Sequence, residues 1–263
     1  MFYSLVIFYL ADDINMPRVS IIMPVHNASE FIGYSIGSVL GQIYSDWELL
    51  LVDDASSDDS FDIAQSYRDH DSRINTYKLN EKSGPAVARN FAISKAVGRY
   101  IAFLDSDDSW SPKKLAIQLK FMEEKKVFFS YSDYQKIDRN GLDIGSVTTP
   151  PVVNYSRLLK GNVIGCLTAM YDTQYFSKVY MPEIFKRQDY GLWLKLLKMT
   201  DYAYGVQEPL AQYRVHDNSI SANKLSAAHY TWKLYREVER LSLIKCSWYF
   251  SHYAVRGLLN NYR

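Results

Sequence analysis

Only two of the 263 residues are cysteine, Cys166 and Cys246. That excludes a disulfide framework and a cysteine-built zinc cluster, and it makes a reducing compartment the default. Neither sign of charge dominates: 30 Lys and Arg stand against 29 Asp and Glu. A chain whose main task is gripping nucleic acid by charge is therefore excluded. Long apolar runs are missing too. The longest, MFYSLVIFYLA at residues 1–11, is stopped by Asp12, well short of the roughly 20 residues that span a bilayer. It also lacks the basic leader and the small-residue cleavage site of a signal peptide. MPRVSIIMPVHN leads straight into the first convincing strand. Met16 therefore reads as the native start, so that residues 1–15 carry no function; residues 1–16 are set apart as an N-terminal extension. There is no internal repeat and no low-complexity tract. What is abundant is apolar surface: 48% of the residues are hydrophobic, enough for a sizeable core in one large α/β domain or two small ones.

The first half alternates strand and helix patterns. Residues 19–25 form a short apolar run, as a buried parallel strand requires. Asn27-Ala-Ser-Glu30 has the form of a capping box, followed by apolar residues at helical spacing. WELLLVD (47–53) is a second strand, 59–69 a helix and 74–79 a third strand. Gly84-Pro85 opens a helix running to about residue 97, and YIAFL (100–104) is the fourth strand. This order predicts a parallel, doubly wound sheet, with ligands beyond the carboxyl ends of its strands. The second half is less regular. It has a helix at 112–125, a strand at 127–134, a turn at 138–141, strand signals at 164–171 and 202–214, and a helix at 189–199. Residues 224–262 read as mostly helical.

Three acidic clusters fall where that architecture puts a ligand. Asp53-Asp54 ends the second strand, Asp105-Ser-Asp107-Asp108 ends the fourth, and Asp189 opens a later helix. If the backbone stays extended past Leu104, Asp105 and Asp107 share one face. Two such carboxylates repel unless a hard divalent cation, Mg²⁺ or Mn²⁺, joins them, commonly with substrate phosphates. The bland alternatives are a solvated acidic loop or a helix cap. Asp54 reads equally well as an acceptor for a ribose hydroxyl or base N–H and as part of a helix start.

The ordered set of motifs is more specific than any one of them. VSIIMPVHN (19–27), LVDDASSD (51–58), GPAVARN (84–90), GRYIAFLDSDD (98–108), RQDYGLWLKL (187–196) and YRVHDNSIS (213–221) together resemble the family-2 glycosyltransferases with the GT-A fold. That resemblance implies a mixed, largely parallel α/β sheet with helices on both faces, plus a C-terminal helical segment. It implies a catalytic domain at residues 17–222, with a nucleotide-binding half at 17–125 and an acceptor-binding half at 126–222. Residues 223–263 add C-terminal amphipathic helices. By the same resemblance Pro24, Val25, His26, Asn27, Asp54, Gly84, Arg89, Asp105 and Ser106 bind the nucleotide-sugar donor. His26 lies against the base and Asp54 reads it. Asp107 and Asp105 hold Mn²⁺ or Mg²⁺, with His216 either completing the metal site or acting as a loop histidine. Asp189 is the general base implied; Gln188 replaces the usual acidic neighbour.

The activity so implied is inverting transfer of one sugar, from a UDP-sugar, to an acceptor hydroxyl on a glycan or lipid-linked glycan of a bacterial surface polysaccharide. The place implied is the cytoplasm, at the inner face of the membrane. The QxxRW pattern of processive synthases is missing. Rival readings are a nucleotidyltransferase, which lacks its glycine-rich basic signature here, and a non-catalytic nucleotide-sugar-binding module. No dinucleotide or P-loop glycine motif is present. Cys166 and Met170 read as core. The basic and aromatic segment 224–263 fits a peripheral membrane contact, a helix pair packed on the catalytic domain, or a homodimer contact.

Overall fold

The computed structural model describes residues 17–216 and 224–259, with side chains at 226–255 in the second stretch. The extension 1–16, the end of the YRVHDNSIS segment and residues 260–263 lie outside the described residues.

Four parallel strands form one half of the sheet. β1 (Val19–Val25) pairs with β2 (Trp47–Asp53) and with β4 (Tyr100–Phe103), and β2 pairs with β3 (Ile74–Lys78). Helices α1 (Ile32–Leu40), α2 (Ser60–Arg68) and α3 (Pro85–Lys95) make the crossovers. After β5 (Ser109–Trp110) and α4 (Lys114–Lys125) the chain builds the other half. β6 (Phe129–Ile137) runs back through a turn into β7 (Asp143–Val147), and β8 (Val152–Val153) and α5 (Tyr155–Leu159) come next. Then come β9 (Met170–Asp172), α6 (Thr173–Phe176), α7 (Gln188–Met199) and β10 (Ala203–Arg214). The strand order is β3-β2-β1-β4-β9-β6-β10-β5. β9 is antiparallel to both β4 and β6, whereas β6 and β10 are parallel. The expected strand at 164–171 is only partly one, because residues 166–168 form a 3₁₀ turn before β9. The chain ends in α8 (Lys224–Lys233), a π-helical turn at 234–238 and α9 (Leu243–Leu259).

Strand alternation sorts the core onto two faces. Ile22, Leu50, Val52, Ile101 and Phe103 meet α3, α5, α7 and the C-terminal helices on one side. Ile21, Met23, Leu49, Leu51, Ala102 and Leu104 meet α1, α2 and α4 on the other. Leu192, Trp193, Leu196 and Leu197 form the buried face of α7, as their spacing predicts, and Met170 is fully buried. Gly98 marks a close approach: a Cβ there would lie 2.6 Å from the Ser20 nitrogen.

Connections leave β1 toward β2 on one side and return to β4 on the other. A sheet of this topology opens a crevice at that reversal, beyond the carboxyl ends of β1 and β4. His26 and Asn27 come after β1 there, and Asp105 after β4.

Candidate active site

The loops after β1 and β2 are stitched together by polar side chains. Asn27 does not cap α1, as the capping-box pattern suggested; α1 starts after Phe31 with no side-chain cap. Its amide oxygen instead accepts the Ser57 N–H at 2.9 Å, and its own N–H donates to the Ser56 hydroxyl. Asp58 takes N–H bonds from Ser29 and Ser60. Burial works against the Asp58 charge, yet the Ser60 hydroxyl and those N–H groups pull its pKa down to about 2. The local competition was between a helix cap and a loop-to-loop bond, and the neighbouring strand's loop won. Asn27 and Ala55 both sit at positive φ, 49° and 51°, a strained conformation that persists where surrounding bonds enforce it.

Asp54 closes the same corner. It is 3% exposed. Its two carboxylate oxygens accept the N–H groups of Ser83 and Gly84 at 2.6 and 2.8 Å. Asp54 thereby fixes the entry into α3, where Gly84 takes φ 93°, a conformation costly for any other residue. The His26 ring nitrogen Nδ1 lies 2.8 Å from the Asp54 carbonyl oxygen. Pro24 and Val25, the last residues of β1, lie beside Val52 and Asp53.

One turn into α3, Arg89 reaches Asp105: Nη2 donates to Oδ1 at 2.5 Å, with the Arg89 side chain 7% and the Asp105 side chain 28% exposed. Burial opposes the guanidinium charge, but Asp105, with Asp189 and the Cys166 thiol nearby, holds the Arg89 pKa above its ordinary value. Arg89 Nε and Nη1 are buried without a hydrogen-bond partner among the described residues. The backbone does not stay extended past Leu104. It turns at Ser106 and Asp107, with the Asp108 N–H bonded to the Asp105 carbonyl. Asp105 and Asp107 are thus brought together by a turn and not by strand alternation. Extended pairing ends because Asp105 has no strand partner there. Ser106 is buried in that turn.

Asp107 Oδ2 lies 2.9 Å from His216 Nε2. Burial and the neighbouring Asp105 raise the Asp107 pKa, with His216 working against them. Arg214 was missed by sequence reasoning, although it stands two residues before His216. It is 5% exposed. Its Nε donates to the Asp107 carbonyl, and its backbone N–H to Asp108 Oδ1. Its guanidinium lies 4.9 Å from the centre of the Phe31 ring, and that ring also meets His216.

Asp189 sits in the first turn of α7. Burial raises its pKa, the Tyr190 N–H, Arg89 and Arg187 hold it down in part, and Asp105 pushes it up again. Asp189 therefore shares one electrostatic neighbourhood with Arg89 and Asp105. Arg187, before it, is held at φ 67°. Cys166 lies there too. It is half-buried against the core, but burial together with Asp105, Asp189 and Asp108 pushes its thiol well above the ordinary range, against Arg89. A thiol held protonated is a poor nucleophile.

Among the described residues, no three His, Cys, Asp or Glu side chains converge on a ready-made cation site. The donor set of Asp105, Asp107 and His216 still suits a hard divalent ion, which commonly takes one or two carboxylates and completes its shell with water and substrate phosphates.

A largely parallel sheet with acidic side chains gathered at its topological switch is of the class of open α/β proteins that bind ligands at that crevice. The chain belongs to glycosyl transferase family 2: the family model matches residues 20–179. It is a glycosyltransferase. It is 46% identical over 239 residues to TuaG of Bacillus subtilis, a glycosyltransferase named for teichuronic acid biosynthesis, covering 90% of this chain and 95% of that one. It is 42% identical over 209 residues to WfaP of Escherichia coli, a UDP-Glc:α-D-GlcNAc-diphosphoundecaprenol β-1,3-glucosyltransferase, covering 80% and 82%. In fold it resembles the mannosyltransferase PcManGT of Pyrobaculum calidifontis, solved with GDP-Man and Mn²⁺. The TM-score is 0.67 at 16% identity, covering 91% of this chain and 74% of that one.

Proposed function

We propose that this chain transfers one hexose from a UDP-sugar, with inversion, to a hydroxyl of a lipid-diphosphate-linked glycan during bacterial surface-polysaccharide assembly. The observation that carries the reading is that the buried Asp189 shares the electrostatic field of Arg89 and Asp105, which supports its role as proton acceptor beside the acidic turn after β4. The names of TuaG and WfaP support the polymer class, the UDP donor and the lipid-linked acceptor.

Asp189 takes the proton of the acceptor hydroxyl as its oxygen attacks the anomeric carbon. The new C–O bond forms on one face while the bond to the diphosphate oxygen breaks on the other. UDP leaves, and the proton on Asp189 passes to solvent. No covalent sugar–enzyme bond is required. Asp107 and Asp105, with His216 alongside, would hold a divalent ion, which would supply charge neutralisation for the departing diphosphate. The donor's nucleoside lies against Pro24, Val25, His26 and Asn27, with Asp54 at the base, Asp105 toward the ribose, and Gly84 and Ser106 also lining the donor site. Arg89 holds Asp105 in place through their ion pair, and its Nε and Nη1, unpartnered among the described residues, are the donors left for the donor's oxygens.

The test uses the full chain with UDP-glucose and other UDP-hexoses, Mn²⁺ and a lipid-diphosphate-GlcNAc acceptor. Asp189→Asn should abolish transfer while leaving the donor-induced thermal shift intact. Undiminished transfer by that variant, or release of pyrophosphate in place of UDP, would overturn the reading.

A further inference from the structure

The C-terminal helix α9 carries a feature that the transfer reaction does not use. Its inner face is fixed on the body of the protein. Cys246 is fully buried, and Tyr249 and Phe250 pack against the core beside Tyr235 and Trp232. Its outer face is apolar. Ile244, Trp248 and Val255 are 83%, 59% and 54% exposed, and at 100° per residue they fall within about 40° of one another. Leu243, 61% exposed, borders the stripe.

Charge around the stripe has one sign. From Arg240 to the chain end the sequence holds Arg240, Lys245, Arg256 and Arg263 and no Asp or Glu. Lys245, Arg240 and Arg236 are exposed. The two acids just upstream are engaged: Glu237 with Lys233, and the buried Glu239 with Lys198. The inner face of the helix is also tied to the segment that carries Asp189. Arg187, two residues before Asp189, donates from Nη2 to the Tyr253 hydroxyl of α9 at 3.2 Å.

From this we propose that the outer face of α9 docks on an anionic lipid bilayer. Trp248 and Ile244 would enter the headgroup boundary, with Lys245 and Arg240 on lipid phosphates. Charge selects this occupant over a second copy of the chain. A two-fold interface would oppose these cations to themselves, whereas an anionic surface complements them. Ser247 and Ser251 interrupt the stripe, so the contact is peripheral and reversible. No helix among the described residues is long and apolar enough to cross a membrane. Docking would set the Arg187–Asp189 end of α7 near the surface that presents a lipid-linked acceptor. The purpose of the contact, but not its existence, rests on the proposed lipid-linked acceptor.

The experiment is flotation of the full chain with vesicles of phosphatidylcholine, with and without phosphatidylglycerol. The chain should float with the anionic vesicles, not with the neutral ones, and less at high salt. The double variant Ile244→Ser, Trp248→Ser should lower the vesicle partition coefficient by about tenfold or more, and Lys245→Glu by about fivefold. Melting temperature and the UDP-sugar-induced thermal shift should stay unchanged in all variants. That second readout separates loss of docking from failure of the donor site. The proposal is overturned if the chain stays down with anionic vesicles, or if the double variant floats like the parent. It is also overturned if, without lipid, Trp248 is quenched and buried in a concentration-dependent dimer.

Discussion

Lys114→Met should stabilise this protein, and the gain should shrink as pH rises. Lys114 is fully buried in α4. Its ammonium donates to Gln118 Oε1 at 2.9 Å and lies 4.0 Å from the Trp110 ring centre. Among the described residues no carboxylate is its partner in an ion pair. Burial alone lowers its pKa from 10.5 to about 7. The folded state thus binds this proton more weakly than the unfolded chain does. Between the two values the unfolded state holds more protons, so stability rises with pH. Below about pH 7 the full penalty of burying a charge is present. The linkage integral for those two pKa values changes by about 2 kcal/mol between about pH 7 and pH 9. Methionine has similar volume and no charge. It leaves Gln118 Oε1 without that donor, at about 1–3 kcal/mol, a term that does not vary with pH in this range. The variant's advantage over the parent should therefore fall by about 2 kcal/mol across that interval, whatever its starting value. Urea unfolding at matched ionic strength measures both chains. A difference that stays flat with pH, or grows, would mean that Lys114 is not buried as a strained charge.

The site itself yields three further expectations. Transfer should fall on the acid side with a midpoint above the ordinary carboxylate range, because the buried Asp189 must be ionised to accept a proton; a kcat profile flat down to about pH 4 would contradict this. Arg89→Met should cost about 2 kcal/mol of stability, less than a fully buried pair because Asp105 is partly exposed. It should also move the acid limb upward, since Arg89 helps hold the Asp189 proton off; an unmoved limb would separate the two residues. Gly98→Ala should cost about 1–3 kcal/mol by thermal melting, because its Cβ meets the β1 backbone at Ser20 and Val19.

Much of the first half of the chain was legible in order and type. The runs at 19–25, 47–53 and 100–104 are strands because they are continuous and apolar, and α7 buries the side chains its spacing marked. Less was legible where a polar side chain had several partners open to it. Asn27 looked like a cap and became a bridge to Ser57. Asp105 and Asp107 were expected on one strand face and met across a turn. Cys166 read as core from its apolar neighbours and does pack against the core, but the 3₁₀ turn at 166–168 also sets it in the field of Asp105 and Asp189, which no local pattern showed.

The alternation of strands and helices, the two-sided apolar pattern of the sheet and the family that the ordered motifs mark are all carried by the primary structure. These depend on residue spacing, which the chain carries with it. Which charges meet was settled by folding alone: Arg89 with Asp105, His216 with Asp107, Arg214 with the backbone of the acidic turn, and Asp189 in the field of Arg89 and Asp105. The first two pairings join residues 16 and 109 positions apart. Burial then sets how strongly each charge is felt, and neither distance nor burial is written in local spacing.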